Sequence, residues 1–127
     1  MGNLFNETEV LTVTTDSGGT ATAATSGTIY NGAIYAYDVD FGTADGTAVL
    51  TFSSVGGAAD QTNRTIIVSA AGNTDGIYFP RKPSVKSTDG TAGAGEEMIP
   101  LAGRKWSVTV ATAGNSKTIL VKLIMLQ

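Results

Sequence analysis

The feature that most constrains the fold is the repeated interruption of short β-rich runs by turn-forming residues. Runs rich in Val, Ile, Thr, Tyr and Phe alternate with clusters of Gly, Asp, Asn and Ser, and no segment has a sustained helical apolar period. This pattern predicts an all-β protein: a single-domain β-sandwich over residues 1–127, jelly-roll-like, with about eight strands and one long loop. The runs are residues 9–15, 20–25, 28–39, 47–54, 63–70, 76–79, 105–112 and 117–125.

Two turn signals predict which runs are joined by hairpins. Residues 16–19 read Asp-Ser-Gly-Gly, and glycine takes the positive φ angles of a tight turn without steric cost. Residues 113–116 read Ala-Gly-Asn-Ser and predict a second hairpin that pairs the last two runs. The order of the remaining strands is left open.

The last two runs differ in how their apolar residues are distributed. In residues 106–110, Trp-Ser-Val-Thr-Val, the apolar side chains share one face, which predicts a core position for Trp106 and one solvated side. Residues 119–126 are apolar on both faces except at Lys122. We expect this strand either to be central and covered twice, or to place one face against another subunit.

Two segments depart from the strand pattern. Residues 80–100 combine Pro, Gly, Ser, Thr and Lys with few apolar residues, which predicts a long contact loop, since long loops in compact domains are usually functional or mobile. An arm that becomes ordered against a neighbour and a plain mobile loop are both open alternatives for this segment. Residues 1–8 are interpreted as an N-terminal arm.

The composition removes much catalytic chemistry. The chain has no Cys and no His, so disulfides and thiolate metal sites are excluded and the commonest catalytic base is missing. The acidic segment 38–46 departs from a calcium-binding EF-hand loop, because Gly42 occupies its fifth position and no Glu closes it. Residues 90–95 are glycine-rich but lack the Gly-Lys-Ser/Thr ending of a phosphate loop. We expect no enzymatic activity, no cofactor and no metal.

Charge is segregated along the chain. Eleven acidic and 8 basic residues give a formal net charge of −3, and no Lys or Arg precedes Arg64. The first half is therefore purely acidic and the second half is basic. Pairing of the halves, within the fold or between neighbouring subunits, and a coincidence of solvated faces are the two open interpretations. The acidic balance argues against a nucleic-acid partner. We also expect no membrane span and no signal peptide, because no long apolar run is present.

The clearest candidates for protein contact are cationic residues close to aromatic ones. Tyr78 and Phe79 are separated from a basic pair by Pro80 alone, and arginine and aromatic side chains concentrate in interface hot spots. The predicted partner-contact residues are this basic pair, together with a further arginine and an aromatic residue of the N-terminal arm: Phe5, Arg81, Lys82 and Arg104.

Four segments carry a resemblance to a known group of proteins: residues 13–22 (VTTDSGGTAT), 78–83 (YFPRKP), 101–104 (LAGR) and 108–117 (VTVATAGNSK). In these segments the chain resembles small β-rich virion structural proteins of tailed bacteriophages, of the capsid decoration or cement type. The resemblance implies a protein on the outer surface of the capsid that binds the major capsid protein at capsomer junctions. It also implies self-association as a homo-oligomer, with a trimer expected.

Two other functions remain open at this point. A head-to-tail connector or tail structural protein would share the composition and the fold class. A carbohydrate-binding jelly-roll module would instead stack sugar on exposed aromatic side chains, for which the candidates are Tyr30, Tyr35, Tyr37 and Trp106.

Overall fold

The computed structural model describes residues 5–56, 63–85, 92–101 and 103–126. The chain forms twelve strands and no helix in these residues, which confirms the all-β prediction. Every predicted run contains a strand, and four short strands are added. The strands are β1 (Phe5–Glu7), β2 (Leu11–Thr14), β3 (Ala24–Thr25), β4 (Ala33–Asp40), β5 (Val49–Val55), β6 (Arg64–Val68), β7 (Gly76–Tyr78), β8 (Lys82–Val85), β9 (Ala92–Glu97), β10 (Ile99–Pro100), β11 (Lys105–Ala111) and β12 (Thr118–Leu126).

Most strands belong to two antiparallel sheets. The first sheet has the order β1-β12-β4-β10, with β2 also paired to β12 and β7 also paired to β4. The second sheet has the order β3-β11-β5-β6. The chain crosses between these two sheets from β2 to β3, from β3 to β4, from β4 to β5, from β6 to β7, from β10 to β11, and from β11 to β12.

The inward side chains of both sheets form one hydrophobic core. Trp106 of β11 stacks on Phe52 of β5 with ring centroids 6.2 Å apart, and both side chains are fully buried. From the first sheet, Ile34 and Leu123 are equally buried in the same core. The predicted core position of Trp106 is confirmed, and the packing of the sheets is sandwich-like.

The predicted hairpin between the last two strands is wrong. Strand β11 pairs with β3 and β5, whereas β12 pairs with β1, β2 and β4 in the other sheet. The backbone of Ala113 explains the crossing, because its carbonyl accepts from the Asp45 amide at 2.8 Å and its amide donates to the Gly19 carbonyl at 3.1 Å. The β11–β12 connection, which contains the buried Ala113, is thus hydrogen-bonded to two other loops. It leads the chain from the second sheet into the first.

The first turn is confirmed, but the strands that flank it scarcely pair. The amide of Gly19 donates to the Asp16 carbonyl at 3.1 Å, and the Asp16 amide donates to the Thr20 carbonyl at 2.9 Å. A single bridge joins Thr15 to Ala21 beyond this turn. Strands β2 and β3 then separate into different sheets, so the turn connects the sheets at one end of the core.

The expectation of one long loop at residues 80–100 also needs correction. Strands β8 and β9 form a separate antiparallel sheet, in which Lys82 lies opposite Glu97, and β10 pairs with β4. Such a hairpin is hard to recognise in the sequence because backbone pairing needs few apolar side chains. Residues 86–91 lie outside the described residues. Of the predicted N-terminal arm, residues 1–4 also lie outside them, and β1 is paired with the end of β12.

The glycine in the β11–β12 connection gives a test of this topology. Gly114 has a φ of +92°, and a Cβ placed there would lie 2.6 Å from Oδ2 of Asp45. We expect Gly114→Ala to lower the free energy of unfolding by about 1–3 kcal/mol, measured by urea denaturation, because both the backbone angle and the contact become strained.

Gly72→Ala is the matched control, since a Cβ at Gly72 meets nothing within 4 Å. This control should change the free energy of unfolding by about 0.5 kcal/mol or less. An equal loss in the two variants would contradict the tight crossing described above.

Candidate interaction surface

The outer face of the first sheet is rich in apolar side chains. Along β12, alternate residues from Ile119 to Met125 are buried in the core, whereas Leu120 on the opposite face is 39% exposed. Strand β12 is central in its sheet, because it pairs with β1 and β2 along one edge and with β4 along the other. Its outward side chains are only partly covered. Exposed apolar patches of this kind mark interaction sites on soluble proteins. Other exposed hydrophobic residues on or beside this face are Phe5, Val10, Ile77 and Phe79.

Three rings and one guanidinium form a cluster at one end of this face, here named the aromatic cluster. The ring of Tyr35 lies 4.8 Å from that of Phe5 and 5.4 Å from that of Phe79, measured between centroids. The guanidinium of Arg81 lies 5.4 Å from the Tyr35 ring centroid, a cation–π distance. Nη1 of Arg81 also donates to the Tyr35 carbonyl at 2.8 Å. Arg81 is therefore held in place beside the rings.

A β-bulge places Tyr35 at the centre of the cluster. The register between β12 and β4 runs from Ile124 opposite Ala36 to Met125 opposite Ile34, so Tyr35 is the extra residue of β4. Bulges reorient side chains locally. Here the Tyr35 ring meets that of Phe5, which projects from β1 on the other side of β12.

One cation lies in the middle of the face. Nζ of Lys122 is 3.2 Å from Oε1 of Glu7 and 4.0 Å from Oδ2 of Asp38. All three side chains are partly exposed, so solvent screens these pairs and each contributes about 0–1 kcal/mol or less. The two carboxylates compensate the positive charge of Lys122 beside the apolar side chains of this face.

The four predicted contact residues divide between two places. Phe5 and Arg81 meet at Tyr35, and Lys82 follows directly at the start of β8, where its amine lies 3.2 Å from Glu97. Arg104 lies elsewhere: its carbonyl accepts from the Tyr30 amide at 3.0 Å, next to the second sheet. The structure thus brings two of the four into direct contact with one ring and separates Arg104 from them.

Sequence reasoning missed the role of Tyr35 in this surface. Tyr35 was singled out only as a sugar-stacking candidate, because a bulge within a strand leaves no signal in the sequence. The apolar outer face of residues 119–126 was the available signal, since a ring on a neighbouring strand would be expected to cover part of it.

Two of the sugar-stacking candidates are not accessible. Trp106 is fully buried, and Tyr37 is buried against Phe52 with ring centroids 4.8 Å apart. Tyr37 also stacks on Tyr78 at 5.3 Å, and burial together with this neighbouring phenol raises the pKa of Tyr37 above its ordinary value. Tyr30 is half-buried, with its hydroxyl 3.3 Å from the Glu9 amide.

The described residues contain neither a cluster of metal ligands nor a membrane-spanning helix. Within residues 5–56, 63–85, 92–101 and 103–126, no group of three or more acidic residues is arranged to hold a metal ion. Over those ranges, no helix has the length and apolarity to cross a membrane.

Comparison of the chain with protein-family models, with curated proteins and with solved structures found no match.

Tyr35 is expected to anchor β1 to the rest of the sheet. Strand β1 has three residues, all of them exposed, and its Phe5 ring rests on Tyr35. We expect Tyr35→Ala to speed amide hydrogen exchange of residues 5–7 by about 2–10-fold, because an aromatic pair contributes about 0.5–1.5 kcal/mol beyond its buried area.

Val68→Ala serves as the control, since Val68 is 62% exposed on the second sheet, away from β1. Its exchange rates at residues 5–7 should equal those of the unmodified protein. Unchanged exchange in Tyr35→Ala would show that the backbone pairing alone holds β1.

Proposed function

We propose that the protein is a capsid decoration (cement) protein of a tailed bacteriophage, which binds the major capsid protein on the outer surface of the shell and stabilises it. The observation that carries the proposal is the apolar outer face of the first sheet with its aromatic cluster. The aromatic cluster, with three rings and one guanidinium, has the composition of an interface core, in which aromatic residues and arginine are enriched. The resemblance to virion proteins supports the same function.

We further propose that the fold is a jelly roll. Strands β1 and β2 pair with successive parts of β12, and β10 and β7 pair with successive parts of β4, so each sheet has four strand positions. The orders become β2-β12-β4-β7 and β3-β11-β5-β6, with the chain passing repeatedly between the sheets. This arrangement supports an eight-position jelly roll with β8, β9 and β10 inserted before β11.

The proposed mechanism is binding without chemistry. Phe5 and Phe79, which are 46% and 55% exposed, supply apolar area, and Arg81 supplies a charge already oriented by its bond to the Tyr35 backbone. Because little side-chain freedom remains to be lost, an anchored arginine binds at a lower entropic cost than a mobile one. Repetition over a symmetric shell adds avidity, so each individual contact can be modest.

The alternatives differ in how well the geometry supports them. A head-to-tail connector or tail protein could use the same apolar face, and the number of copies per particle distinguishes it from a decoration protein. A carbohydrate-binding module is disfavoured, because Trp106 and Tyr37 are buried in the core and cannot stack on sugar.

Binding to capsid shells that lack this protein tests the proposal. We expect the purified protein to saturate such shells at many copies per particle, and Phe5→Ala and Arg81→Ala each to weaken binding by about 30-fold, as for hot-spot residues of about 2 kcal/mol. Phe79→Ala is a further variant, which leaves in place the hydrogen bonds that the Arg81 side chain donates to the carbonyls of Tyr35 and Pro80.

Lys117→Ala is the matched control for Arg81→Ala, because it removes a cation in the β11–β12 connection, outside the aromatic cluster. It should bind shells as the unmodified protein does. Saturation at a few copies per particle would favour the connector, and no binding by the unmodified protein would refute the cement function.

A further inference from the structure

A groove lies between an edge of the first sheet and an edge of the second, and is here named the inter-sheet groove. Strand β6 is the last strand of the second sheet, and the short strands β7 and β10 pair with β4 in the first. The groove between them has a volume of about 380 Å³, which is at the small end of the range for small-molecule sites, about 300–1,000 Å³. The lining residues that determine its chemistry are Tyr37, Ile66, Val68, Tyr78, Phe79 and Arg81.

Arg81 brings an anchored positive charge to the groove. Strands β7 and β10 pair with separate parts of β4, and the Tyr35 carbonyl lies in the gap between them. Nη1 of Arg81 donates to this carbonyl at 2.8 Å and to the Pro80 carbonyl at 2.6 Å, which uses both hydrogens of that nitrogen. The guanidinium is therefore held to the edge of the sheet through one nitrogen.

The other edge of the guanidinium is unused. Within residues 5–56, 63–85, 92–101 and 103–126, Nε and Nη2 of Arg81 make no hydrogen bond and no carboxylate lies within 4 Å of the group. The hydrogens of Nε and Nη2 point the same way along one edge of the plane, and a carboxylate accepts from such a fork through both of its oxygens. Arg81 thus offers an oriented site for an oxyanion.

The hydroxyl of Tyr37 is a second unpartnered group in the lining. Tyr37 is 6% exposed, and its ring packs against those of Phe52 and Tyr78. In the described part of the chain its hydroxyl makes no hydrogen bond, and it is not fully enclosed by protein. Burial and the neighbouring Tyr78 raise the pKa of Tyr37, so the hydroxyl keeps its proton and can donate. A ligand in the groove would supply the missing acceptor.

We propose that the inter-sheet groove binds a small organic acid, whose carboxylate pairs with Arg81 and whose apolar body lies against Ile66 and Tyr78. The Tyr37 hydroxyl donates to the same ligand. The described residues that line the groove include one cation and no carboxylate, which favours an anion over a neutral or cationic ligand. A carboxylate carries one negative charge and so matches the single guanidinium.

The first test compares an acid with its uncharged amide. We expect phenylacetate to shift the amide NMR signals of residues 66–70 and 76–79, with a Kd on the order of 1 mM, as for a small ligand in an open groove. Phenylacetamide has the same ring without the charge and should bind about tenfold more weakly or worse. In Arg81→Gln the acid should lose this advantage and bind like the amide. Because the amide does not need the guanidinium, its binding also reports whether Arg81→Gln is folded.

The second test places a carboxylate at the rim of the groove. Val68→Glu should weaken phenylacetate binding by about tenfold or more, because the new charge repels the ligand or pairs with Arg81 in its place. Ile29→Glu is the matched control, since Ile29 and Val68 are 56% and 62% exposed and only Val68 lines the groove. It should leave the Kd unchanged.

Tyr37→Phe tests the hydroxyl while retaining the ring that packs on Phe52 and Tyr78. We expect about threefold weaker binding of phenylacetate or worse, because the variant lacks one hydrogen bond to the ligand. An unchanged Kd in this variant would overturn the inference. So would the absence of saturable shifts up to about 10 mM, or equal binding of acid and amide by the unmodified protein.

An acidic side chain of another protein is the other source of the same chemistry. N-acetyl-Phe-Glu-amide tests it, and we expect this dipeptide to bind no more tightly than phenylacetate. Binding about tenfold tighter, with the same dependence on Arg81, would overturn the small-molecule ligand and assign the groove to a protein segment.

The inference goes beyond the proposed function and does not rest on it. All of these titrations use the isolated protein, whereas the cement function is tested on shells. A protein that saturates shells but does not bind phenylacetate would overturn the ligand site alone, and one that binds phenylacetate but ignores shells would refute the cement function alone.

Discussion

The alternation of strand β12 is the constraint on which the rest of the structure depends. Its inward side chains, alternate residues from Ile119 to Met125, are buried in the core, and its backbone pairs with β1, β2 and β4. Because side chains alternate strictly along a strand, burying this set commits Leu120 and Lys122 to the outer face. The core and the interaction surface are therefore two consequences of one strand.

The sequence predicted the strands better than their partners. All eight predicted runs contain strands, because β-branched and aromatic residues separated by turn residues are a local signal. The pairing of the last two strands was wrong, since a turn sequence such as that around Gly114 shows where the chain reverses but not whether it stays in its sheet. That choice is made by the bonds of Ala113 to distant loops. Strands β8 and β9 were missed because their pairing rests on backbone bonds.

Parts of the candidate surface were predictable where a residue's type and its neighbours in the sequence both indicated a contact. Arg81, close to Phe79, was predicted as a contact residue from its residue type and its neighbours, and the structure places it beside the Tyr35 ring in the aromatic cluster. Tyr35 was not recognised, since its orientation depends on a bulge that is defined only by the register between two strands. Lys122 was noticed as an exception in an apolar run, but its partner Glu7 lies far away in the sequence.

The surface divides into regions of different physical character. The aromatic cluster offers apolar area and one oriented cation, a combination suited to a contact that excludes water. The ion pairs of Lys122 with Glu7 and Asp38 are partly exposed on the same face, so a contact made there would depend on the salt concentration. Because the aromatic cluster and the ion pairs of Lys122 share no residues, a substitution in one is expected to leave the other intact.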